Sequence, residues 1–335
     1  MQVFISTFPE AISLAKSGMH KPFFHKHIPV HTLDRLIQNI KFYLPNIPMF
    51  SEPCYLVTYD GTLYIFQRGC MGLTLLFSDV LAEISLDHSI EVILEMVVAV
   101  GEFTKSSVCT LPLWVSNSDL GEPVQNSLSQ TVPFVDLKHP TFDSYLSSMP
   151  KKGRYKVKTA LKQLETYGTE VTIHTQLPTN LRDWVVATTQ SRWVSDEDDP
   201  DFVYEVALLQ WILAFTLENA FFVQLSQQGD TIAVGCFVLA DTFWSFNSFC
   251  QSEFLDGIGV QTLAIGVRHM IENPVHGVTE FSPTATFLPW QPAFHLYKHS
   301  VGNTHKTAYM CYAAMDTEDP TPPYYDIRQH NWVAE

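Results

Sequence analysis

The sequence has little that would suit a membrane span or a secretory leader. Within its 335 residues, no window approaches the ~20 uninterrupted apolar residues that a transmembrane helix needs. The closest run, Ile93–Val100, contains Glu95. The first 16 residues lack a basic start and carry Glu10, which is untypical of a signal peptide. We therefore expect a soluble, cytoplasmic protein, and the 46% hydrophobic content is sufficient for a packed core.

The common signatures of metal and nucleophile sites are also missing. The six cysteines form no C-x-x-C pair, which excludes zinc-ribbon and thioredoxin-type sites. Neither a G-x-S-x-G nucleophile elbow nor a P-loop is present, so serine hydrolase and P-loop NTPase activities lack support. His25, His27 and His31 match no zinc site with a full set of ligands. No metal is expected.

Positive charge is scarce, since 35 acidic residues face 20 basic ones and the net charge is −15. That balance argues against a general nucleic-acid binder, which needs clustered Lys and Arg. It suits either a cationic partner or solubility alone. The exception is 151–162, which holds six of the bases and could bind an anion or form a solvated helix face. Acidic residues gather at 196–201 and beyond 316.

Hydrophobic patterning predicts a mixed α/β protein with two units. The polar, turn-rich segment before residue 132 is the expected linker, which gives a first unit at 1–131 and a second at 132–315. A Pro-rich acidic tail follows at 316–335. In the second unit, three strand-like runs precede a glycine-opened helix, unlike the strict strand–helix alternation of a Rossmann fold.

A glycine turn at Asp256-Gly257-Ile258-Gly259-Val260 separates the strand ending near Cys250 from the helix that runs to Asn273. Two glycines at a strand-to-helix turn expose backbone N–H groups beside the positive end of the helix dipole, which suits a pyrophosphate. A tight turn with close packing is the alternative. The predicted cofactor-binding residues are Gly257, Ile258, Gly259, Val260 and Gln261.

Three stretches together resemble the FemAB-like branch of the GNAT acyltransferases over about residues 140–314. Gly257 and Gly259 match the Q/R-x-x-G-x-G/A turn of that superfamily, with Phe254 in place of its first residue. The basic helix, Gly168 and the following strand are similar to the opening of the second FemAB-like unit. The ending is similar as well: Ser282-Pro283-Thr284, then Tyr297-Lys298 and Gly302.

This resemblance implies an α/β (mixed α+β) fold of two GNAT-like units. Each would be a largely antiparallel mixed sheet flanked by helices, with the N-terminal unit degenerate. It implies an N-acyltransferase whose co-substrate is an acyl-CoA or acyl-carrier-protein thioester. The acceptor would be the amine of a small molecule or of a lysine- or ornithine-type peptide side chain.

The resemblance also assigns roles at the site. Lys298 would hold the oxyanion, Glu280 or His295 would take the amine proton, and Tyr297 would return a proton to the thiolate. Arg192 and Trp193, with Asp196 and Asp198 of the acidic loop, would line the acceptor cleft. Two alternatives stay open: an aminoacyl-tRNA-dependent transferase of the same branch, and a non-catalytic GNAT-like protein that binds a peptide.

Overall fold

The computed structural model describes most of the chain. The described residues are 1–26, 28–69, 72–77, 90–104, 108–115, 129–193, 200–240, 243–252, 257–283, 301–314, 324–326 and 331–333. They form two compact units, one comprising Met1–Thr131 with Thr307–Glu335 and the other Val132–Lys306.

Eight α-helices lie in the described part of the chain. In order they are α1 Phe8–Lys16, α2 Leu33–Tyr43, α3 Ile90–Thr104, α4 Phe142–Ser148, α5 Lys151–Thr166, α6 Thr179–Trp193, α7 Pro200–Thr216 and α8 Ile258–Glu272. None of these helices is long and apolar enough to cross a membrane.

The described residues also form fifteen strands, several of which follow one another with no α-helix between them. They are β1 Val3–Ser6, β2 Lys21–Pro22, β3 Cys54–Tyr59, β4 Thr62–Gly69, β5 Gly72–Leu75, β6 Val108–Val115, β7 Ser129–Asp136, β8 Glu170–His174, β9 Ala220–Gln227, β10 Asp230–Ala240, β11 Phe243–Gln251, β12 Glu280–Ser282, β13 Thr304–Ala314, β14 Tyr324–Asp326 and β15 Asn331–Val333.

The first unit is a mixed sheet with its own helices. Strands β1, β3, β4, β5 and β6 follow one another across the sheet, and β13 joins the far edge beside β6. The β3–β4 hairpin turns at Asp60-Gly61, where both residues have positive φ (46° and 75°), as a type I′ turn requires. Helix α1 begins at a capping box in which the Thr7 side chain and Glu10 satisfy each other's backbone N–H groups.

The predicted boundary at residue 315 requires the last long strand, β13, to end the second unit. The structure instead places this strand beside β6 of the first unit. Strand β13 pairs antiparallel with β6, with Tyr312 opposite Thr110 and Ala314 opposite Val108. Residues from 307 onward therefore belong to the first unit. Part of the predicted tail is ordered as well, because β14 pairs with the end of β13 and β15 pairs with β14.

The second unit has three layers around the sheet β7-β12-β11-β10-β9-β8. Strands β8 to β11 are antiparallel neighbours, and β11 and β12 run parallel. Helices α4, α5 and α8 cover one face, where Phe237, Phe246 and Phe281 are at most 2% exposed. Helices α6 and α7 cover the other face, with Trp211 packed on Phe215. The mixed α/β fold class predicted from the sequence is confirmed.

Candidate functional site

The predicted glycine turn lies at the N-terminus of α8. Gly257 is the N-cap residue and has a left-handed backbone (φ 80°) that favours glycine. Among the described residues no side chain caps the helix, and its first turn has no acidic residue. Ile258 and Val260 bury their side chains, so they can offer a ligand only their backbone N–H groups. The predicted residue Gln261 is buried and its N–H donates to the Gly257 carbonyl (2.9 Å), so it has no free backbone donor for a ligand. The first N–H groups of a helix have no partner within it, which suits them to an anion.

Close packing fixes α8 on the sheet. A Cβ at Gly235 of β10 would lie 2.3 Å from Thr262 Cγ2, and one at Gly266 of α8 would lie 2.2 Å from the Phe237 ring. Both glycines therefore let the helix backbone approach the strand more closely than any larger residue would. This packing against β10 fixes the position of α8, and with it the position of its N-terminus.

The described pairing of β11 with β12 ends well before the glycine turn. The two strands pair only at Phe243–Glu280, Trp244–Phe281 and Ser245–Ser282 within the described residues. On its other side β11 stays paired with β10 as far as Gln251. The β11 residues 246–251, which we call the open edge, thus lie beyond the described pairing with β12. The open edge runs for about 17 Å, at ~3.3 Å per residue, toward the α8 N-terminus.

Glu280 lies at the opposite end of the open edge from Gly257. It lies directly opposite Asp136 of the neighbouring strand β7. Directly opposed residues place their side chains on the same face of a sheet. Their neighbours Val135 and Phe281 belong to the core under α8. The two half-buried carboxylates therefore lie on the α6 and α7 face. Sequence reasoning missed Asp136, because no local pattern reveals a partner on a strand 144 residues away.

The chain returns to the sheet of the second unit at Val301–Asn303, directly after the predicted Lys298 segment. The Tyr145 hydroxyl donates to the Val301 carbonyl, and Gly302 is buried. The Asn303 backbone N–H donates to the Phe134 carbonyl (3.0 Å). The Asn303 side chain accepts from the Asp136 N–H (2.9 Å). These bonds fix the end of the segment against β7 and α4.

The same Asn303 orients a polar cluster that the sequence did not reveal. Because its Oδ1 accepts from a backbone N–H, its Nδ2 donates to His139 Nε2 (3.1 Å) and to Ser148 Oγ (3.0 Å). His139 Nε2 must therefore have a lone pair that accepts this hydrogen bond. The other ring nitrogen, Nδ1, lies 3.4 Å from Ser144 Oγ. This contact network joins β7, α4 and the return segment.

The other predicted site residues are not brought together in the described residues. Lys298, His295, Tyr297, Asp196 and Asp198 lie outside them. Arg192 and Trp193 form the last turn of α6. No group of His, Cys, Asp and Glu within the described ranges could hold a metal ion.

Buried thiols supply no nucleophile at this sheet. Burial raises the pKa of the Cys236 thiol, and the nearby Cys250 raises it further. Cys236 therefore stays protonated at neutral pH, and a protonated thiol is a poor nucleophile. What the described residues place here is the N-terminus of α8 at one end of the open edge and two carboxylates near the other.

Comparison with known proteins reveals likeness in fold. No family model matches the chain, and no curated protein does. Among solved structures, the C-terminal domain of a putative lysylphosphatidylglycerol synthetase from Agrobacterium fabrum is similar, with a TM-score of 0.50, 9% identity, and coverage of 91% of this chain and 92% of that one.

Two further solved structures are similar at lower scores. FemX has a TM-score of 0.44 and 10% identity, covering 92% of this chain and 97% of its own. A tandem GNAT protein from the clavulanic acid biosynthesis pathway has a TM-score of 0.42 and 8% identity, covering 96% and 100%. At these identities the likeness is one of fold. The chain folds as two mixed α/β units, and its fold is similar to that of the Agrobacterium fabrum domain over most of both chains.

Proposed function

We propose that the protein is an N-acyltransferase that moves an acyl group from a thioester donor to an amine. The observation that carries the proposal is the N-terminus of α8, where Gly257 has a left-handed backbone and no side chain caps the helix among the described residues. The residues of β11 beyond its described pairing with β12 lead toward this N-terminus. The phosphate of a thioester donor would bind the N–H groups of the first turn of α8, and the rest of the donor would lie along β11.

The transfer itself needs few side chains. The amine nitrogen attacks the thioester carbonyl carbon, a C–N bond forms and the carbonyl oxygen becomes an oxyanion. The C–S bond then breaks, the amine proton leaves to a base, and the thiolate takes up a proton. Alignment of the two reactants supplies much of the acceleration. We assign the oxyanion to Lys298, the amine proton to Glu280 or His295, and protonation of the thiolate to Tyr297.

A cationic amine is the acceptor that the charges favour. Glu280 and Asp136 stand opposite each other at the start of the short β11–β12 pairing, and two carboxylates attract an ammonium group. The acidic loop with Asp196 and Asp198, together with Arg192 and Trp193, would extend this acceptor side. A lysine- or ornithine-type side chain, or a small polyamine-like molecule, has the required charge.

Ligand-dependent thermal stabilisation tests the donor site. Acetyl-CoA and a medium-chain acyl-CoA should raise the Tm of the parent protein, since a ligand that binds only the folded state stabilises it. Gly257→Val should abolish this shift. Gly277→Val is the matched control, because Gly277 has the same left-handed backbone (φ 81°) in the turn after α8 and should keep the shift. An equal response of the two variants would refute the assignment of the donor site.

Kinetics test the oxyanion role. With an amine acceptor that the parent acylates, Lys298→Ala should lower kcat by about 10²–10³-fold, the usual effect of removing an oxyanion donor. The KM for the donor should change little, because the donor phosphate binds at α8. Unchanged turnover would remove Lys298 from the mechanism.

An aminoacyl-tRNA-dependent transferase is the second candidate. It is favoured by the similarity in fold to a protein described as a putative lysylphosphatidylglycerol synthetase. Adding charged tRNA to the same thermal assay separates the two candidates: stabilisation by charged tRNA without stabilisation by acyl-CoA supports the second. Stabilisation by neither would leave the non-catalytic peptide-binding hypothesis.

A further inference from the structure

Helix α5 carries a line of positive charge on its outer side. Lys151, Arg154, Lys158 and Lys162 follow the i, i+3, i+7, i+11 spacing that places residues on one side of a helix. Tyr155 lies among them with 71% of its surface exposed. We call these five residues the basic stripe. Val157, Ala160 and Leu164 occupy the buried side of the same helix, so the stripe faces solvent.

The basic stripe lowers the stability of the helix that carries it. Like charges at i, i+4 repel, as Arg154–Lys158 and Lys158–Lys162 must. Lys151 and Arg154 stand in the first turn, where the helix dipole disfavours cations, and no acidic residue offsets them there. None of the stripe residues forms an ion pair within the described part of the chain, although Arg154 Nη1 contacts the Ser147 carbonyl (3.4 Å). Destabilising charges with no ion pair among the described residues, in a chain of net charge −15, favour a binding role for the stripe.

The C-terminal end of the stripe lies beside the proposed donor site, and its N-terminal end lies far from that site. Gln163 of α5 lies next to Gly257, since a Cβ there would be 3.2 Å from Gln163 Oε1. At the other end of α8, the Arg268 guanidinium lies 4.7 Å from the centre of the Phe142 ring in α4. Helices α5 and α8 therefore run antiparallel. Lys151 is then about 18 Å from Gln163 at 1.5 Å per residue, too far for one phosphate group at α8 to contact.

We propose that the basic stripe docks an acidic helix of a carrier protein that presents the acyl thioester on a phosphopantetheine arm. The inference rests on the proposed function and names its donor. A helix of 16 residues is about 24 Å long and matches one helix of a small partner. The arm of that partner would then enter at the adjacent α8 N-terminus. Tyr155 supplies the aromatic contact that protein interfaces favour.

A long nucleic acid fits this surface less well. Its phosphates would extend past the stripe toward Glu165 near the C-terminal end of α5 and Glu170 at the start of β8, and toward a chain of net charge −15. A compact acidic protein needs only the stripe. RNA and anionic membranes are therefore treated as outcomes of the test.

The test compares two probes on the full-length chain. The probes are an acyl-CoA and a bacterial acyl-carrier protein loaded with the same acyl group through its phosphopantetheine arm. The variant Lys151→Gln/Arg154→Gln/Lys158→Gln should bind the carrier protein at least about tenfold more weakly and bind acyl-CoA as the parent does. Its Tm should equal or exceed that of the parent, because charge repulsion is removed. A matched control, Lys21→Gln/Lys41→Gln/Lys138→Gln, changes the charge by the same amount elsewhere and should leave both affinities unchanged.

Each other outcome overturns the inference. Equal carrier-protein binding by the parent and the stripe variant would exclude the stripe as the docking surface. Binding of acyl-CoA without any binding of the carrier protein would refute the inference while leaving the proposed function intact. Binding of neither donor would refute both. Stripe-dependent binding of tRNA, or of vesicles containing phosphatidylglycerol, in place of the carrier protein would assign the surface to those ligands instead.

Discussion

His269 is a single residue whose environment predicts a pH effect. Its ring packs on Phe221, with 4.7 Å between the ring centres, and its Nδ1 lies 3.2 Å from the Asn273 amide nitrogen. Burial lowers the pKa of His269, and Glu272 opposes part of that shift. The neutral ring therefore suits the fold, since its Nδ1 can accept from the amide.

The sign of the effect follows from proton linkage. A lowered pKa in the folded state means that the unfolded chain binds the proton more readily, so stability falls as pH decreases below about 6.5, the unperturbed value. Urea unfolding at pH 7.5, 6.5 and 5.5 should reveal this loss, and His269→Gln should reduce it. His276→Gln, at an exposed position in the next turn, is the control. It should keep the parent's dependence of the free energy of unfolding on pH. A His269→Gln slope equal to that of the parent would contradict the account.

Asn303 is the second residue with a distinct expected effect. Asn303→Ala leaves the Asp136 N–H and the His139 ring without their amide partner, and such losses cost about 1–3 kcal/mol. Chemical denaturation should show this, while Ala at the exposed Asn180 should change the free energy of unfolding little. The Asn303 variant should also reduce acyl transfer, because the bonds that fix the end of the Lys298 segment are weakened.

Among the secondary-structure elements, the close packing of α8 on β10 determines where the proposed donor site lies. Gly266→Ala favours helix by up to about 1 kcal/mol, yet its Cβ would lie 2.2 Å from the Phe237 ring. That ring is fully buried and stacked on Phe221, with 4.7 Å between the ring centres, so it cannot move aside. Overpacking of this kind costs about 1–3 kcal/mol, and we expect net destabilisation.

A second substitution distinguishes overpacking from other causes. Phe237→Leu removes the ring atoms that the new Cβ would meet, so Gly266→Ala should destabilise the Phe237→Leu variant less than the parent. The comparison needs the free energies of unfolding of the four proteins in the double-mutant cycle. Strict additivity of the two substitutions would show that the close approach is not the cause.

Local patterns predicted most elements of the second unit but not their distant partners. The glycine turn, the basic helix and the three antiparallel strands each have a signal within a few neighbouring residues, and the structure has all of them. The Asp136–Glu280 opposition and the bonds of Asn303 join residues more than 140 positions apart. Strand β13 is similar: its sequence predicts a strand, while its pairing with β6 depends on register across the sheet.

At the scale of the whole molecule, the net charge of −15 is the sum of separate local charges. The basic stripe of α5 is one of them, and the Asp136–Glu280 pair is another. An anionic donor and a cationic amine are the two reactants that such an arrangement would attract. One sheet could hold both, since the proposed donor and acceptor sites lie toward opposite ends of the open edge. The fold by itself does not select the acyl group or the amine.

The proposed function depends above all on the binding of a phosphate-bearing thioester at the α8 N-terminus beside the open edge. The most direct measurement is calorimetric titration of an acyl-CoA into the parent, Gly257→Val and Gly277→Val proteins. The account predicts saturable binding to the parent and to Gly277→Val, and its loss in Gly257→Val. No binding to the parent, or equal binding to all three proteins, would contradict it.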